Sequence, residues 1–334
     1  MSDRRLPTVS IVLPALNERS FIEGCLASLL AQDYPAIVEI LVVDGGSTDG
    51  TVAIATGFGA PVRVIENPRV TAAAAMNIGI DAAVGTLICR ADAHAAYEDD
   101  YIRRCVEVLL ETGADNVGGP VRAVGTTPFG RAVAAVYSSP LGTGPAPSHY
   151  ATERTDADTV WLGCWRRETL RRLGGFDEDR LQWSAEDQEL NFRIRQEGGR
   201  VVLDPSIHVT YFPRGAPRPL WDQYFNWGVA KASTLVRHGS LPTVRPLAPA
   251  ALVAATAAGA LLGRSWRVRL AVPIAHTAFA TATALWLGRQ DGVDAPKAFA
   301  AVEICQWSYG LGFFAGLVRT ARGRSFDTRP SGHR

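Results

Sequence analysis

A chain of 334 residues has room for one large domain or two smaller ones, and its balance of 34 basic against 33 acidic residues excludes the basic surplus of a nucleic-acid binder. Five cysteines (Cys25, Cys89, Cys105, Cys164 and Cys305) show no Cys-x-x-Cys spacing, which excludes a disulfide scaffold or zinc knuckle and fits a reduced, cytosolic setting. The amino-terminal apolar run is short, is broken by Pro14 and meets Asn17 and Glu18 at once, so it does not read as a signal peptide.

In chain order, residues 9–13 read as a buried strand and 21–30 as a helix with Phe21, Ile22, Cys25, Leu26 and Leu29 apolar. Residues 40–43, 62–65 and 87–89 read as three further strands, and helices are expected at 51–56, 71–83 and 100–112. This alternation predicts an α/β fold with a Rossmann-like, mostly parallel sheet and helices on both faces. Ligands of such sheets sit beyond the carboxyl ends of the strands. Three of those ends carry polar groups: Asn17 and Glu18, then Asp44, then Asp92 and His94. No Gly-x-Gly-x-x-Gly follows the first strand and no Gly-x-x-x-x-Gly-Lys-Ser/Thr occurs, which disfavours a dinucleotide-binding dehydrogenase and a P-loop enzyme.

The turn Asp44-Gly45-Gly46-Ser47-Thr48-Asp49-Gly50-Thr51 explains itself as a tight loop with a helix cap at Ser47 or Asp49. Asp44 is left over, at the mouth of the sheet, where its carboxylate can accept from a base N–H or a ribose hydroxyl. Asp92-Ala93-His94 sets a carboxylate and an imidazole two residues apart, able to face one cation, although alone the pair also serves as ordinary turn residues. Residues 184–194 read as a helix start with Ser184 as cap and Glu186 and Asp187 at the positive end of the dipole. Both acids are explained by that dipole; alternatively one is a general base for an acceptor hydroxyl. Neighbours on a helix point about 100° apart, so only one of the two can face a reaction centre.

Composition changes after about residue 245. The stretches 247–263, 270–288 and 298–318 are strongly apolar, and the second and third are long enough to cross a bilayer as helices. Arg264, Arg267 and Arg269 precede the second, and Arg319, Arg322 and Arg324 follow the third. A two-helix hairpin puts both clusters on the cytoplasmic side, as the positive-inside tendency favours. The expected organisation is a catalytic domain at 1–240, a hydrophobic helical region at 241–320 with 247–263 marginal, and a basic, flexible tail at 321–334.

Five motifs follow one another in the order seen in family 2 glycosyltransferases, and the chain resembles that family. They are Leu13-Pro14-Ala15-Leu16-Asn17-Glu18, Asp44-Gly45-Gly46-Ser47-Thr48-Asp49-Gly50, Arg90-Ala91-Asp92-Ala93-His94, Gly174-Gly175-Phe176-Asp177-Glu178 and Glu186-Asp187. The Arg-x-Asp-Ala-His form and Arg214-Gly215…Gln223-Tyr224-Phe225 are similar in particular to bacterial enzymes of the succinoglycan glucosyltransferase type. The resemblance implies a GT-A fold and an inverting transfer from a nucleotide-diphosphate sugar to an acceptor hydroxyl in exopolysaccharide or envelope glycan synthesis, and the apolar hairpin fits an acceptor that is itself membrane-associated, such as a polyprenyl-linked saccharide. The resemblance further implies Ala15, Asn17, Glu18, Asp44, Arg90 and Asp92 at the nucleotide sugar, Asp187 as catalytic base and Glu186 in support. Asp92 and His94 are the implied ligands of Mg²⁺ or Mn²⁺, with His208 a further candidate. His94 stands where the family commonly has a carboxylate, which lowers the site's negative charge by one. Trp183 and Trp221 are candidates for the acceptor side. The catalytic domain is then cytoplasmic, on the inner membrane. Two other readings stay open: a nucleotidyltransferase acting on a sugar phosphate, although residues 14–19 lack a basic glycine-rich loop, and a non-catalytic membrane scaffold on a transferase-like domain.

Overall fold

The computed structural model describes residues 6–144, 151–178, 185–241 and 243–322. The chain divides into two units, one built mainly from Met1–Arg122 and Pro147–Tyr211, the other from Ala123–Ala146 and Phe212–Gly332. In chain order the elements begin with β1 (Val9–Ala15), α1 (Ile22–Leu30), β2 (Ile37–Asp44), α2 (Thr51–Gly57), β3 (Val62–Glu66), α3 (Ala72–Ala82) and β4 (Leu87–Arg90). They continue with β5 (Ala95–Tyr97), α4 (Tyr101–Thr112), β6 (Asn116–Gly118), β7 (Val121–Ala123), α5 (Pro128–Tyr137), α6 (Pro140–Thr143), β8 (Thr155–Asp156) and β9 (Cys164–Arg166). After these come α7 (Arg167–Arg172), α8 (Glu186–Gln196), β10 (Val201–Leu203), β11 (Val209–Tyr211), α9 (Pro217–His238), α10 (Leu247–Leu262), α11 (Trp266–Asp291) and α12 (Ala295–Ala321).

The first unit is built on an eight-stranded sheet of order β3-β2-β1-β4-β9-β6-β10-β8. Its β3-β2-β1-β4 half is parallel, as the strand–helix alternation predicts. The other half is mixed, because β9 runs antiparallel between β4 and β6, and β8 runs antiparallel to β10. A second sheet joins β5, β11 and β7. Side chains alternate along β1, so that Ile11 and Leu13 pack with Ile22, Leu26 and Leu29 of α1 on one face, together with Cys105 and Leu109 of α4. Val12 packs on the other face with Ile88, Met76 and Ile80 of α3 and Leu190 and Ile194 of α8. Strands buried on both faces read as continuous apolar runs, and those runs are what made β1, β2 and β4 recognisable. All five cysteines are buried, and desolvation pushes the thiols of Cys25, Cys89 and Cys105 up.

The second unit is helical. Leu220 and Tyr224 of α9 pack against Ala298, Ala301, Val302 and Cys305 of α12. Farther along, glycine permits backbone contact between these two helices. A Cβ at Gly228 would lie 2.1 Å from the Tyr309 carbonyl oxygen, and one at Gly312 would lie 2.1 Å from that of Phe225. Among the described residues α11 is the one helix long and apolar enough to cross a membrane. The second expected crossing, 298–318, is a helix of full length, but Glu303, Gln306 and Ser308 interrupt its apolar run and much of one face packs on α9. The Trp307 indole N–H donates to Glu303 Oε2 at 2.7 Å, and the His276 ring of α11 meets the Trp307 ring edge-on at 5.7 Å. The 247–263 stretch forms α10, too short for the same test.

Candidate active site

The site grows from three strand ends of the first unit and the first turn of α8. Ala15 closes β1 in register with Asp44 at the end of β2. The two following loops are laced together. The Asn17 N–H donates to Ser47 Oγ at 2.8 Å, the Thr48 N–H donates back to Asn17 Oδ1 at 2.9 Å, and the Glu18 N–H donates to Thr51 Oγ1 at 2.8 Å. Asn17 adopts a left-handed φ of 56°, which suits asparagine better than most residues. Asp44 is buried and organises its own loop: Oδ2 accepts the N–H groups of Gly46 and Ser47 at 2.8 and 2.9 Å, and Oδ1 accepts the Ser47 hydroxyl. Gly50, with φ of 99°, turns this loop into α2.

Arg90 is the centre of the arrangement. Its Nε donates to Asp92 Oδ1 at 3.0 Å and its Nη1 donates to Glu186 Oε1 at 2.7 Å. One guanidinium thus joins the end of β4 to the start of α8. Burial alone would lower the Arg90 pKa, but the charges of Asp92, Glu186 and Asp187 outweigh it and hold the group above its ordinary value. Asp187, next along α8, is half-buried. Burial and then the charge of Glu186 raise its pKa, Arg90 pulls it back, and the carboxyl ends pushed up to about 6.

His94 lies with Nδ1 3.7 Å from Glu18 Oε1, so the first and fourth strand ends meet at this imidazole. Its ring stands edge-on to Tyr211 at 6.0 Å, and Tyr211 meets Trp161 at 5.1 Å. The Asp92 N–H donates to the Tyr97 hydroxyl at 2.7 Å, which anchors the turn between β4 and β5. Asp92 and His94 offer one carboxylate and one imidazole; the carboxylate suits Mg²⁺ or Mn²⁺, and the imidazole is the softer donor of the two. Among the described residues no group of three His, Cys, Asp or Glu side chains gathers to hold an ion by itself.

The structure therefore brings together Ala15, Asn17, Glu18, Asp44, Arg90, Asp92, His94, Glu186 and Asp187 around the carboxyl ends of neighbouring strands and the start of α8. It does not bring His208 to them. In the antiparallel pair of β5 and β11, Val209 faces Tyr97 and Tyr211 faces Ala95, so residue 208 enters the pair at the end away from residue 94. Trp221 belongs to α9 in the second unit, while Trp183 and Ser184 lie outside the described residues. Tyr97, Trp161 and Tyr211 carry no sequence motif that marks them; Tyr97 and Tyr211 come near through the pairing of β5 with β11, and Trp161 through its ring contact with Tyr211.

Known proteins give the comparison a direction. The description "Glycosyl transferase family 2" matches residues 10–172. The succinoglycan biosynthesis protein ExoA of Rhizobium meliloti (strain 1021) is 33% identical over 332 residues, covering 95% of this chain and 98% of that protein. A dolichyl N-acetyl-alpha-D-glucosaminyl phosphate 3-beta-D-2,3-diacetamido-2,3-dideoxy-beta-D-glucuronosyltransferase of Methanococcus voltae is 28% identical over 243 residues, 69% of this chain and 74% of that one. Among solved structures, a mannosyltransferase of Pyrobaculum calidifontis in complex with GDP-mannose and Mn²⁺ has a TM-score of 0.61 at 24% identity, over 91% of this chain and 88% of that one. GalNAc-T7 with UDP, GalNAc and Mn²⁺ has a TM-score of 0.52 at 19% identity, over 69% of this chain and 52% of that one. The two structures share the fold.

Proposed function

Because this chain belongs to glycosyltransferase family 2 and has the GT-A fold, we propose that it moves a sugar from a nucleotide-diphosphate sugar to a hydroxyl of a lipid-linked saccharide acceptor, with inversion at the anomeric carbon. The observation that carries this reading is Asp187, a half-buried carboxylate pushed up to about 6 and one residue from the carboxylate that Arg90 ties to Asp92. In this reading Asp187 takes the proton of the acceptor hydroxyl as that oxygen bonds to the anomeric carbon, and the bond to the diphosphate breaks with its electron pair leaving on the phosphate oxygen. Displacement in one step inverts the carbon and needs no covalent sugar–enzyme intermediate. Asp92 and His94 would hold a divalent cation, which would supply Lewis-acid stabilisation of the charge on the leaving diphosphate. Ala15, Asn17, Glu18 and Asp44 border the nucleotide.

Relatives named for succinoglycan biosynthesis and for a dolichyl-linked acceptor support an acceptor of the same kind. The exposed apolar surface of α11 supports a membrane location, with the catalytic unit on the cytoplasmic side where nucleotide sugars are made. The test is transfer from a panel of UDP- and GDP-sugars, with Mn²⁺ or Mg²⁺ and a membrane lipid extract as acceptor. Transfer of one sugar to a lipid-soluble product, absent in Asp187→Asn, is the expected result. Turnover by that variant at the wild-type rate would overturn the assignment of the base.

A further inference from the structure

We propose that Arg90 is a positioning residue of this transfer, a two-ended strut that fixes the first turn of α8 through Glu186 and so turns Asp187 toward the acceptor. The inference rests on the reading of Asp187 given above, and it separates Arg90 from the residues that hold the donor.

Four observations carry it. First, the N-cap of α8 is Ala185, at φ 61° and ψ 18°, whose methyl side chain accepts no N–H; among the described residues the Gln188 N–H of the first turn is accepted within the helix, by Asp187 Oδ1 at 2.7 Å. A left-handed alanine costs about 1–2 kcal/mol and does not anchor a helix. Second, that turn gathers three carboxylates, Glu186, Asp187 and Glu189, whose mutual repulsion opposes a fixed geometry. Two of them are neutralised by arginine: Glu189 by Arg193 at 2.8 Å, one turn along the same helix, and Glu186 by Arg90 at 2.7 Å, from the sheet. The second pair is thus a tie from this turn to the rigid part of the unit.

Third, Arg90 is well placed to be rigid. It is the last residue of β4, paired with Val12 of β1, and its N–H donates to the Gly163 carbonyl at 3.0 Å. Its side chain is 10% exposed and that of Glu186 is 5% exposed, so water does little to screen the pair. A planar guanidinium can hold Asp92 and Glu186 together at a set separation, whereas the single ammonium of lysine cannot span both in the same way. Fourth, Glu186 is consumed by this contact. With Glu186 pinned inward, the helical turn of about 100° per residue swings Asp187 away from it, to the half-exposed side.

The experiment uses the full chain in detergent or vesicles and compares wild type with Arg90→Lys, Arg90→Gln, Glu186→Gln and the double variant Arg90→Lys/Glu186→Gln. It reads kcat, the donor KM, and the affinity for UDP and GDP with Mn²⁺. A strut lowers kcat at least tenfold in Arg90→Lys and in Glu186→Gln, leaves nucleotide affinity within threefold, and makes the double variant no worse than the poorer single by more than threefold. Wild-type kcat in Arg90→Lys, losses that multiply in the double variant, or a tenfold loss of nucleotide affinity with kcat retained would each overturn it. The last pattern would make Arg90 a phosphate ligand. Should Arg90→Gln fail to fold, Arg90→Lys carries the comparison. A wild type that transfers no sugar sinks the functional reading instead. Arg90 is then judged by hydrogen exchange at residues 187–190, which must speed up in Arg90→Lys and would contradict the strut if unchanged.

Discussion

In the proposed reaction Asp187 is asked to be two things that conflict: a carboxylate dry enough to hold a proton, and one that is ionised when the acceptor arrives. With a folded pKa of about 6, it is mostly ionised at neutral pH and still a usable base. The rate is expected to be flat above about pH 7 and to fall about tenfold per unit below pH 6, as a pH profile of kcat would show. Its stability effect has the opposite sense. A carboxyl whose folded pKa lies above the ordinary 3.8 favours the folded state below that value, and the benefit is lost as pH rises through 6. Asp187→Asn should therefore be inactive, with kcat down at least 10³-fold and nucleotide affinity within threefold. Above pH 7 it should also be more stable than wild type by about 1–3 kcal/mol, with the gain vanishing below pH 4. Thermal melts at the two pH values decide it. Asn17, Asp44 and Asp92 stand out in the chain as polar residues close after apolar strand runs, and Asp187 as an acid at a helix start within a motif of the family it resembles. The contact between Arg90 and Glu186 does not, since the two are 96 positions apart.

At the scale of elements, the parallel half of the sheet and α1 to α4 were readable because apolar strand runs alternate there with helical stretches. The strands β8 and β9 were not. They have two and three residues, and a strand that short carries no period to recognise. The antiparallel insertion of β9 follows from pairing partners far apart in sequence, which no local pattern announces. Two glycines give a paired test of helix packing. Gly24 in α1 is exposed and has nothing within 4 Å of the position a Cβ would take, so Gly24→Ala should stabilise by about 0.5–1 kcal/mol through backbone entropy. Gly312→Ala places a methyl group 2.1 Å from the Phe225 carbonyl and forces α9 and α12 apart, so it should destabilise by about 1–3 kcal/mol. Denaturation of both variants beside wild type checks the sign of each.

At the scale of the molecule, the catalytic chemistry and the apolar helices fall in separate units. The hydropathy of residues 247–318 was plain in the sequence, but which helix keeps its apolar surface exposed was not, because packing on α9 is invisible to a hydropathy window. The full chain is expected to sediment with membranes and to resist high salt and alkaline washing, yielding only to detergent; recovery in the salt wash would reduce α11 to a docking surface. Chelation of divalent cations should abolish transfer, and Mn²⁺ or Mg²⁺ should restore it. The buried state of all five cysteines gives these questions a ready instrument. A folded chain whose native thiols are shielded is nearly silent to membrane-impermeant alkylating reagents. A single cysteine placed at the exposed Arg264, between α10 and α11, or at Arg267, in the first turn of α11, would report which side of the bilayer that junction occupies, with the natural protein serving as its own blank.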